Sequence, residues 1–473
     1  MTEQFESALT SITQRAFSIS PNVPSTSLAI AYSGGLDSSV LLHLVAQYAT
    51  AHKLTLYAFH VHHGLSPNAD KWSTHCAQEC AERNIRFDER RVNIGNTGKT
   101  GVEEAARHSR YAALGDMCRQ HQVPLILTAH HQDDQAETVL LQLLRGSGVA
   151  GLSGMDNLNT APTLLNDASL QMARPLLAFS RAELEKYAVS HNISYVEDES
   201  NDDPRYARNA LRSQVMPVLS RYFGGFQERL ARTAGHMQSS QRLLIELAAQ
   251  DLSATISDNH LNLPPFRQLS ADRQDNLLRY WFGLHDLRMP SSAWLSEARA
   301  QLLSAKDDAQ ICVTHPECHI RRHRDRVFLT ARDDLDREDI APIAFRWNGE
   351  SEIAFPIYGG TLHFDVVGVA EQGVDPAWLR LQSLQLKYRS GGERLKLAAN
   401  RPTKPLKNLY QAMDIPAWER ETLPLVHNGA KLLFAAGLGM DSHQLTTEGE
   451  ANIRLRWQAD NLSLRKQLHN LLI

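Results

Sequence analysis

The segment Ser33-Gly34-Gly35-Leu36-Asp37-Ser38-Ser39 directly follows an apolar run, Ser27–Tyr32, and opens a helical pattern. A short continuous apolar run reads as a strand buried on both faces, and buried strands of that kind belong to parallel sheets. Leu54–Val61 reads as a second such strand, Ile85–Ile94 and Pro124–Ala129 follow as a third and fourth, and amphipathic stretches lie between and after them at Ser38–Ala51, Lys71–Arg83, Val102–Gln120 and Asp134–Arg145. Ser180–Val196 continues the alternation. The expected fold is therefore α/β, a doubly wound parallel sheet with helices on both faces. Its ligands should sit beyond the carboxyl ends of the strands.

Two adjacent glycines let the backbone turn tightly and bring its N–H groups close to an anion, and the helix that follows adds the positive end of its dipole. The hydroxyls of Ser33, Ser38 and Ser39 are expected as further donors. Asp37 stands at the mouth of this loop, where its charge repels phosphate unless magnesium lies between them. The loop resembles the pyrophosphate-binding loop of the ATP-pyrophosphatase superfamily, whose members adenylate a substrate and release pyrophosphate. It lacks the lysine with which a Walker loop holds the β- and γ-phosphates, as suits chemistry in which pyrophosphate is the leaving group. Asn96–Thr100 ends like a Walker loop, but Asn93 occupies the place of the first required glycine, so a plain loop is expected there.

The second cluster is Thr128–Thr138, which follows the fourth strand and enters a helix. Asp133 and Glu137 are four residues apart and share a helical face, with Asp134 beside them at the helix start. A capping acid accounts for Asp133 or Asp134 alone. It does not account for three acids and the pair His130 and His131 together. Such a group can bind magnesium, hold an ammonium group, or act as a base. His60, His62 and His63 end the second strand, either as ordinary polar groups or beside a ligand; without cysteine partners a zinc site is not expected there. Arg107 and Arg110 share a helix face, Arg107 with Glu103 one turn before it. Arg205, Arg208 and Arg212, with Asn209, follow an irregular acidic segment, and arginine forks suit phosphate. His315, Cys318, His319 and His323 match no standard zinc spacing, and Ile320–Leu329 alternates like a single strand with a basic face.

Beyond about Phe226 the periodicity turns helical, with Leu230, Leu243, Leu244, Leu247, Leu277, Leu278, Trp281 and Phe282 on the apolar faces. Arg332–Asp339 reads as an acidic linker, and β-like runs follow at Glu352–Ile357 and Thr361–Val367. Lys387–Lys407 then carries seven basic residues, among them Arg394, Lys396, Lys404 and Lys407, against a single acid, Glu393. In a chain of net charge -4 such an island reads as a surface for a phosphate backbone. At 473 residues several domains are expected: 1–222 with the loop and acids, a mainly helical 223–335, and an α+β 336–473. Five scattered cysteines indicate a reducing compartment, the acidic N-terminus is no secretory signal, and no apolar stretch approaches the roughly 20 residues of a membrane span. A cytoplasmic location is expected, as a monomer or a homodimer.

Taken in order, SGGLDSS, HVHHGLS, ExxARxxRY, AHHQDDQAET with RGSG, ARPLL and DESNDDPRYARNALR resemble the tRNA(Ile)-lysidine synthase family. YRSGGERLKL and KPLKNLYQAMDIPAWERETLPLV are similar to its C-terminal domain. One departure is Ser66, where many relatives have arginine. The resemblance implies a two-step reaction. ATP adenylates the C2 oxygen of the wobble cytidine in an isoleucine tRNA with a CAU anticodon, and the amine of free lysine then displaces AMP. It implies that Ser33, Gly34, Gly35, Leu36, Asp37 and Ser38 bind ATP, with Asp37 on magnesium. Asp133, Asp134 and Glu137 would serve lysine, metal or proton transfer, and Arg208 would stabilise charge. Arg107, Arg205, Arg212, Arg394, Lys396, Lys404 and Lys407 are the expected tRNA contacts. Two other readings compete. A tRNA thiolase on the same loop would need paired cysteines, yet Cys76 and Cys80 form only CxxxC. A non-catalytic nucleotide-sensing RNA binder would gain nothing but repulsion from the acids.

Overall fold

The computed structural model describes residues 1–19, 26–62, 64, 66, 68–92, 102–197, 207–257, 260–304, 311–332, 340–368, 371–447 and 451–460. The chain forms two compact units, Met1–Leu244 and Ile245–Ile473.

The first unit runs α1 (Thr2–Ile19), β1 (Ser27–Ala31), α2 (Leu36–His52), β2 (Thr55–His62), α3 (Ala69–Glu82), β3 (Arg86–Arg91), α4 (Val102–Gln120), β4 (Leu125–Leu127) and α5 (Gln132–Leu144). It continues through α6 (Val149–Leu152), β5 (Leu158–Thr160), α7 (Pro162–Leu165), β6 (Gln171–Ala173), α8 (Arg181–Ser190), α9 (Ala207–Ala210), a π-helical turn Leu211–Val215, α10 (Met216–Tyr222) and α11 (Phe226–Thr255). The strand order is β3-β2-β1-β4-β6-β5, parallel throughout except for β5 against β6. Apolar side chains of β1, β2 and β4 alternate between two cores. Leu28, Ile30, Leu125 and Leu127 pack with α1, α2, α3 and α8. Ala29, Phe59 and Ile126 pack instead with Tyr111, Leu114, Met117 and Cys118 of α4. Sequence order reverses between β1 and β4, so the crevice for ligands opens at their carboxyl ends. The loop after β1 and the acidic segment after β4 flank that point.

The second unit carries β7 (Ile256–Ser257), β8 (His260–Asn262), α12 (Leu263–Arg267), α13 (Ala271–Leu284), α14 (Ser292–Ser304), β9 (Ile311–Thr314), β10 (Cys318–His323) and β11 (Arg326–Ala331). Its five-stranded sheet, β7-β8-β11-β10-β9, packs on Leu277, Leu278, Trp281 and Phe282 of α13. Two expectations are corrected in these segments. Ile320–Leu329 is not one strand but an antiparallel hairpin, because Arg324 takes a left-handed φ of 53° and turns the chain. Its basic face is also incomplete, since Arg322 is buried and donates to the carbonyls of Leu302 and Arg324. Leu243 is 64% exposed and belongs to no apolar face.

The rest of the unit comprises β12 (Ile343–Phe345), β13 (Glu352–Phe355), β14 (Gly360–Val367), α15 (Pro376–Arg380), β15 (Leu384–Lys387), β16 (Arg394–Leu395), β17 (Lys404–Pro405), α16 (Leu406–Ala412), α17 (Ala417–Arg420), β18 (Leu425–Asn428), β19 (Lys431–Ala435), β20 (Gly439–Met440) and β21 (Asn452–Ala459). Antiparallel sheets β12-β15-β18-β19-β20 and β13-β14-β21 share one apolar core, and β16 pairs with β17 as a small ribbon. No helix among the described residues is long and apolar enough to cross a membrane. All five cysteines are free.

Candidate active site

The loop after β1 owes its shape to three local facts. Gly34 has φ +84°, and a Cβ there would lie 2.8 Å from Cys76 Sγ, so no other residue fits without displacing α3. Gly35 is the extended N-cap of α2. Val196 then donates its N–H to the Gly34 carbonyl at 2.9 Å and fastens the loop from outside. The serine hydroxyls, expected as anion donors, are paired within the loop of the free protein. Ser38 Oγ donates to the Gly35 carbonyl at 3.0 Å and lies 3.0 Å from Ser33 Oγ, while buried Ser39 Oγ donates to the Gly34 carbonyl at 3.2 Å. They hold the loop's form. The donors left for an anion are the first N–H groups of α2, which have no partner within a helix.

Asp37 lies in the first turn of α2. Its Oδ2 faces Arg181 NH1 at 3.3 Å and His131 Nε2 at 3.7 Å, while its buried Oδ1 has no hydrogen-bond partner among the described residues. His131, 1% exposed, is the hub of the acids, with Nε2 3.4 Å from Asp134 and Nδ1 3.7 Å from Asp133. Burial alone lowers its pKa. The hydrogen bond to Asp37 and the charges of Asp134, Asp37 and Asp133 outweigh burial and leave it raised. His130, next in the chain, goes the other way. Desolvation, with the charges of Arg174, Arg208 and Arg107, outweighs Asp134 and lowers it to about 3. Its Nδ1 sits 2.9 Å from Thr128 Oγ1. The two adjacent imidazoles are thus shifted in opposite directions.

Asp134 has a structural duty, since its Oδ2 accepts the His131 N–H at 3.0 Å at the start of α5. Its Oδ1 meets Arg208 at 3.1 Å and Arg212 at 3.2 Å. Burial raises the Asp134 pKa, but the charges of His131, His130 and Arg208 and that N–H bring it below the usual range. Glu137, one turn on and fully buried, accepts from Arg208 Nε at 2.8 Å and from Arg212 Nε at 2.7 Å. Two buried acids and two half-buried arginines therefore form one network, with Arg212 carried on the π-helical turn. Asp133 points elsewhere. Its Oδ2 accepts the Arg181 N–H at 2.9 Å, and its Oδ1 has Gln227 Nε2 at 3.5 Å. Glu137 is thus coupled to Asp134 rather than to Asp133, although spacing pairs it with either.

Arg107 is exposed, stacks with Arg110 on the Tyr111 ring, and is close enough for its charge to act on His130. Arg205, His63, Asn93 to Thr100 and the Glu103 side chain lie outside the described residues. His60 is buried, with Nδ1 2.9 Å from the Tyr32 carbonyl, and His62 Nε2 lies 3.2 Å from Asp70. No group of three metal-ligating side chains converges among the described residues, at these histidines or at His315. Sequence reading passed over Arg181 and Arg174. The only signal for Arg181 was its position directly after Ser180, the N-cap of α8.

The far basic island spans the turn before β16 and the β16–β17 ribbon. Gly391 (φ +93°) and Gly392 (φ +85°) turn the chain, and Glu393, its one acid, accepts the N–H groups of Ser390 and Gly391. Arg394, Lys404 and Lys407 are exposed and Lys396 is half-buried.

Residues 1–219 match the family model of a PP-loop domain, 261–328 that of the TilS substrate binding domain, and 384–457 that of the TilS substrate C-terminal domain. Fold and loop together define an ATP-using PP-loop enzyme. The chain is 40% identical over 467 residues to tRNA(Ile)-lysidine synthase of Burkholderia mallei, covering 92% of this chain and 94% of that one. It is 40% identical to the enzyme of that name from Ralstonia nicotianae (90% and 91%) and 36% identical to that from Coxiella burnetii (87% and 89%). The chain belongs to the tRNA(Ile)-lysidine synthase family, ligases that form a carbon–nitrogen bond.

Proposed function

We propose that this chain ligates free lysine to C2 of the wobble cytidine of an isoleucine tRNA with a CAU anticodon, in the cytoplasm, with residues 1–222 doing the chemistry and 223–335 and 336–473 holding the RNA. The observation that carries this is the meeting of the phosphate loop and the acid–arginine network at the switch point between β1 and β4. The C2 oxygen of the cytidine attacks the α-phosphorus of ATP, and pyrophosphate leaves with the electron pair of the broken bond. The lysine amine then attacks C2 and loses a proton, and the C2–oxygen bond breaks to release AMP.

The α2 N-terminus and the loop N–H groups hold the departing phosphates. The buried, unpartnered Oδ1 of Asp37 fits a magnesium ion, which this carboxylate would hold. Bound there, magnesium would neutralise charge on the phosphates. Arg208 supplies positive charge beside the reacting groups, and Glu137 and Asp134 fix its fork. Both Glu137 oxygens are occupied by arginine. Asp133, with one oxygen lightly held, is the acid left to receive the lysine amine. A thiolase is disfavoured because Cys76 and Cys80 are buried, and burial raises both thiols, Cys80 to about 12.

Incubation with ATP, labelled lysine and bulk tRNA, followed by nucleoside analysis, tests this reading. Lysidine should appear together with AMP and pyrophosphate. ADP as the main nucleotide product, or base modification without lysine, would refute it.

A further inference from the structure

We infer that Arg181 is the phosphate cation of this loop, contributed from α8 in place of a lysine within the loop, and that it takes the charge developing on the leaving pyrophosphate. The inference rests on the reading of the loop as an ATP site.

Three observations converge on it. First, the loop Ser33–Ser39 contains no cation, and its serine hydroxyls are turned onto the loop's own backbone, so positive charge must come from elsewhere in the fold. Second, Arg181 NH1 reaches Asp37 Oδ2 at 3.3 Å, which brings a guanidinium to the first turn of α2, where the loop N–H groups gather. Third, its base is fixed while its tip is free to change partner. The Arg181 N–H is held by Asp133 Oδ2 at 2.9 Å, its Nε lies 3.1 Å from Glu185 Oε1, and the side chain remains 45% exposed.

The chemistry follows from that placement. In the free protein the guanidinium neutralises Asp37. When phosphates enter, an oxyanion is the better partner for a planar fork with spare N–H donors, and Asp37 is released toward a cation of its own. As the bond from the α-phosphorus to its bridging oxygen breaks, negative charge grows on that oxygen. A guanidinium already waiting at the loop needs no reorganisation to meet it. Arg208 and Arg212 are less suited to this role, since Glu137 and Asp134 hold both forks.

The test compares wild type with Arg181→Ala, Arg181→Gln and Arg181→Lys, using inorganic pyrophosphate as the probe. Its inhibition constant and the KM for ATP are measured beside tRNA affinity and the thermal melt. Loss of one charge-assisted contact should weaken pyrophosphate inhibition about tenfold in the Ala and Gln variants. The Lys variant should recover most of that loss as a point charge, with tRNA affinity and melting unchanged in all three. Pyrophosphate inhibition equal to wild type in both Ala and Gln variants would overturn the proposal and leave Arg181 a mere partner of Asp37. A loss that Lys does not restore, accompanied by a lower melt, would overturn it too, as a packing role. If wild type itself binds neither ATP nor pyrophosphate, the ATP reading fails instead, and the two failures are thereby told apart.

Discussion

Two clusters of positive charge in this chain meet anions in opposite ways. In the first unit Arg208 and Arg212 are bound to the buried acids Glu137 and Asp134 in a half-buried network, whereas in the second unit Arg394, Lys404 and Lys407 project into solvent on and beside the β16–β17 ribbon. Buried charges are costly to leave unpaired but keep their geometry when a substrate arrives. Exposed charges are cheap, adaptable and screened by salt. The first arrangement suits chemistry at one atom, and the second suits a grip on a polymer with many equivalent phosphates.

The sharpest break of this comparison is Asp37→Ala, which should abolish lysine incorporation, a loss of at least about a hundredfold to a thousandfold. Labelled lysine in tRNA measures it, and near-normal turnover removes Asp37 from the site. Next comes Glu137→Ala, which leaves two guanidiniums with Asp134 as their one remaining carboxylate in the network. Both keep some contact with water, so the cost should fall at the lower end of the roughly 3–5 kcal/mol for breaking a buried pair. Urea unfolding would read it, and a change below about 0.5 kcal/mol would mean the network behaves like a surface.

Neutralising Arg394, Lys396, Lys404 and Lys407 together should act on tRNA binding alone. Each lost phosphate contact lowers the slope of log affinity against log salt by roughly 0.7 to 0.9. ATP affinity should stay at its wild-type value. An unchanged slope makes the island a solvated face. A parallel fall in ATP affinity makes it structural support for the first unit.

The strands and helices from Ser27 to Leu144 were readable because each carries its own periodicity, and the loop and the acids follow strands that announce themselves. What escaped reading was non-local or short. Glu137 meets arginines 71 and 75 residues away, and no pattern along the chain encodes which acid of the cluster they choose. β5 and β6 have three residues each and, unlike the equally short β4, lie in no continuous apolar run. The β10–β11 hairpin turns at Arg324, in a backbone conformation that turn signals reserve for glycine or asparagine, so it reads as one continuous strand. Residue type alone does not tell which backbone groups of the loop the serine hydroxyls meet in the free protein.

The smallest expected effect separates the two adjacent histidines. His131 has its pKa raised in the folded state, so its contribution to stability is full below its ordinary value of 6.5 and is lost as pH rises through the folded value. His130 is lowered from 6.5 to about 3, so its contribution is full above 6.5 and is lost as pH falls from there toward 3. Relative to His131→Asn, wild type should therefore lose stability on the alkaline side. Relative to His130→Asn, it should lose stability on the acid side. Each difference should change with pH in the direction given, for His131 on the alkaline side and for His130 on the acid side. Urea unfolding across a pH series for the three proteins measures both. Differences that do not vary with pH would show that the two rings share one protonation state, and the acids around His131 would then lack the positive hub that lets Asp37, Asp133 and Asp134 stand so close together.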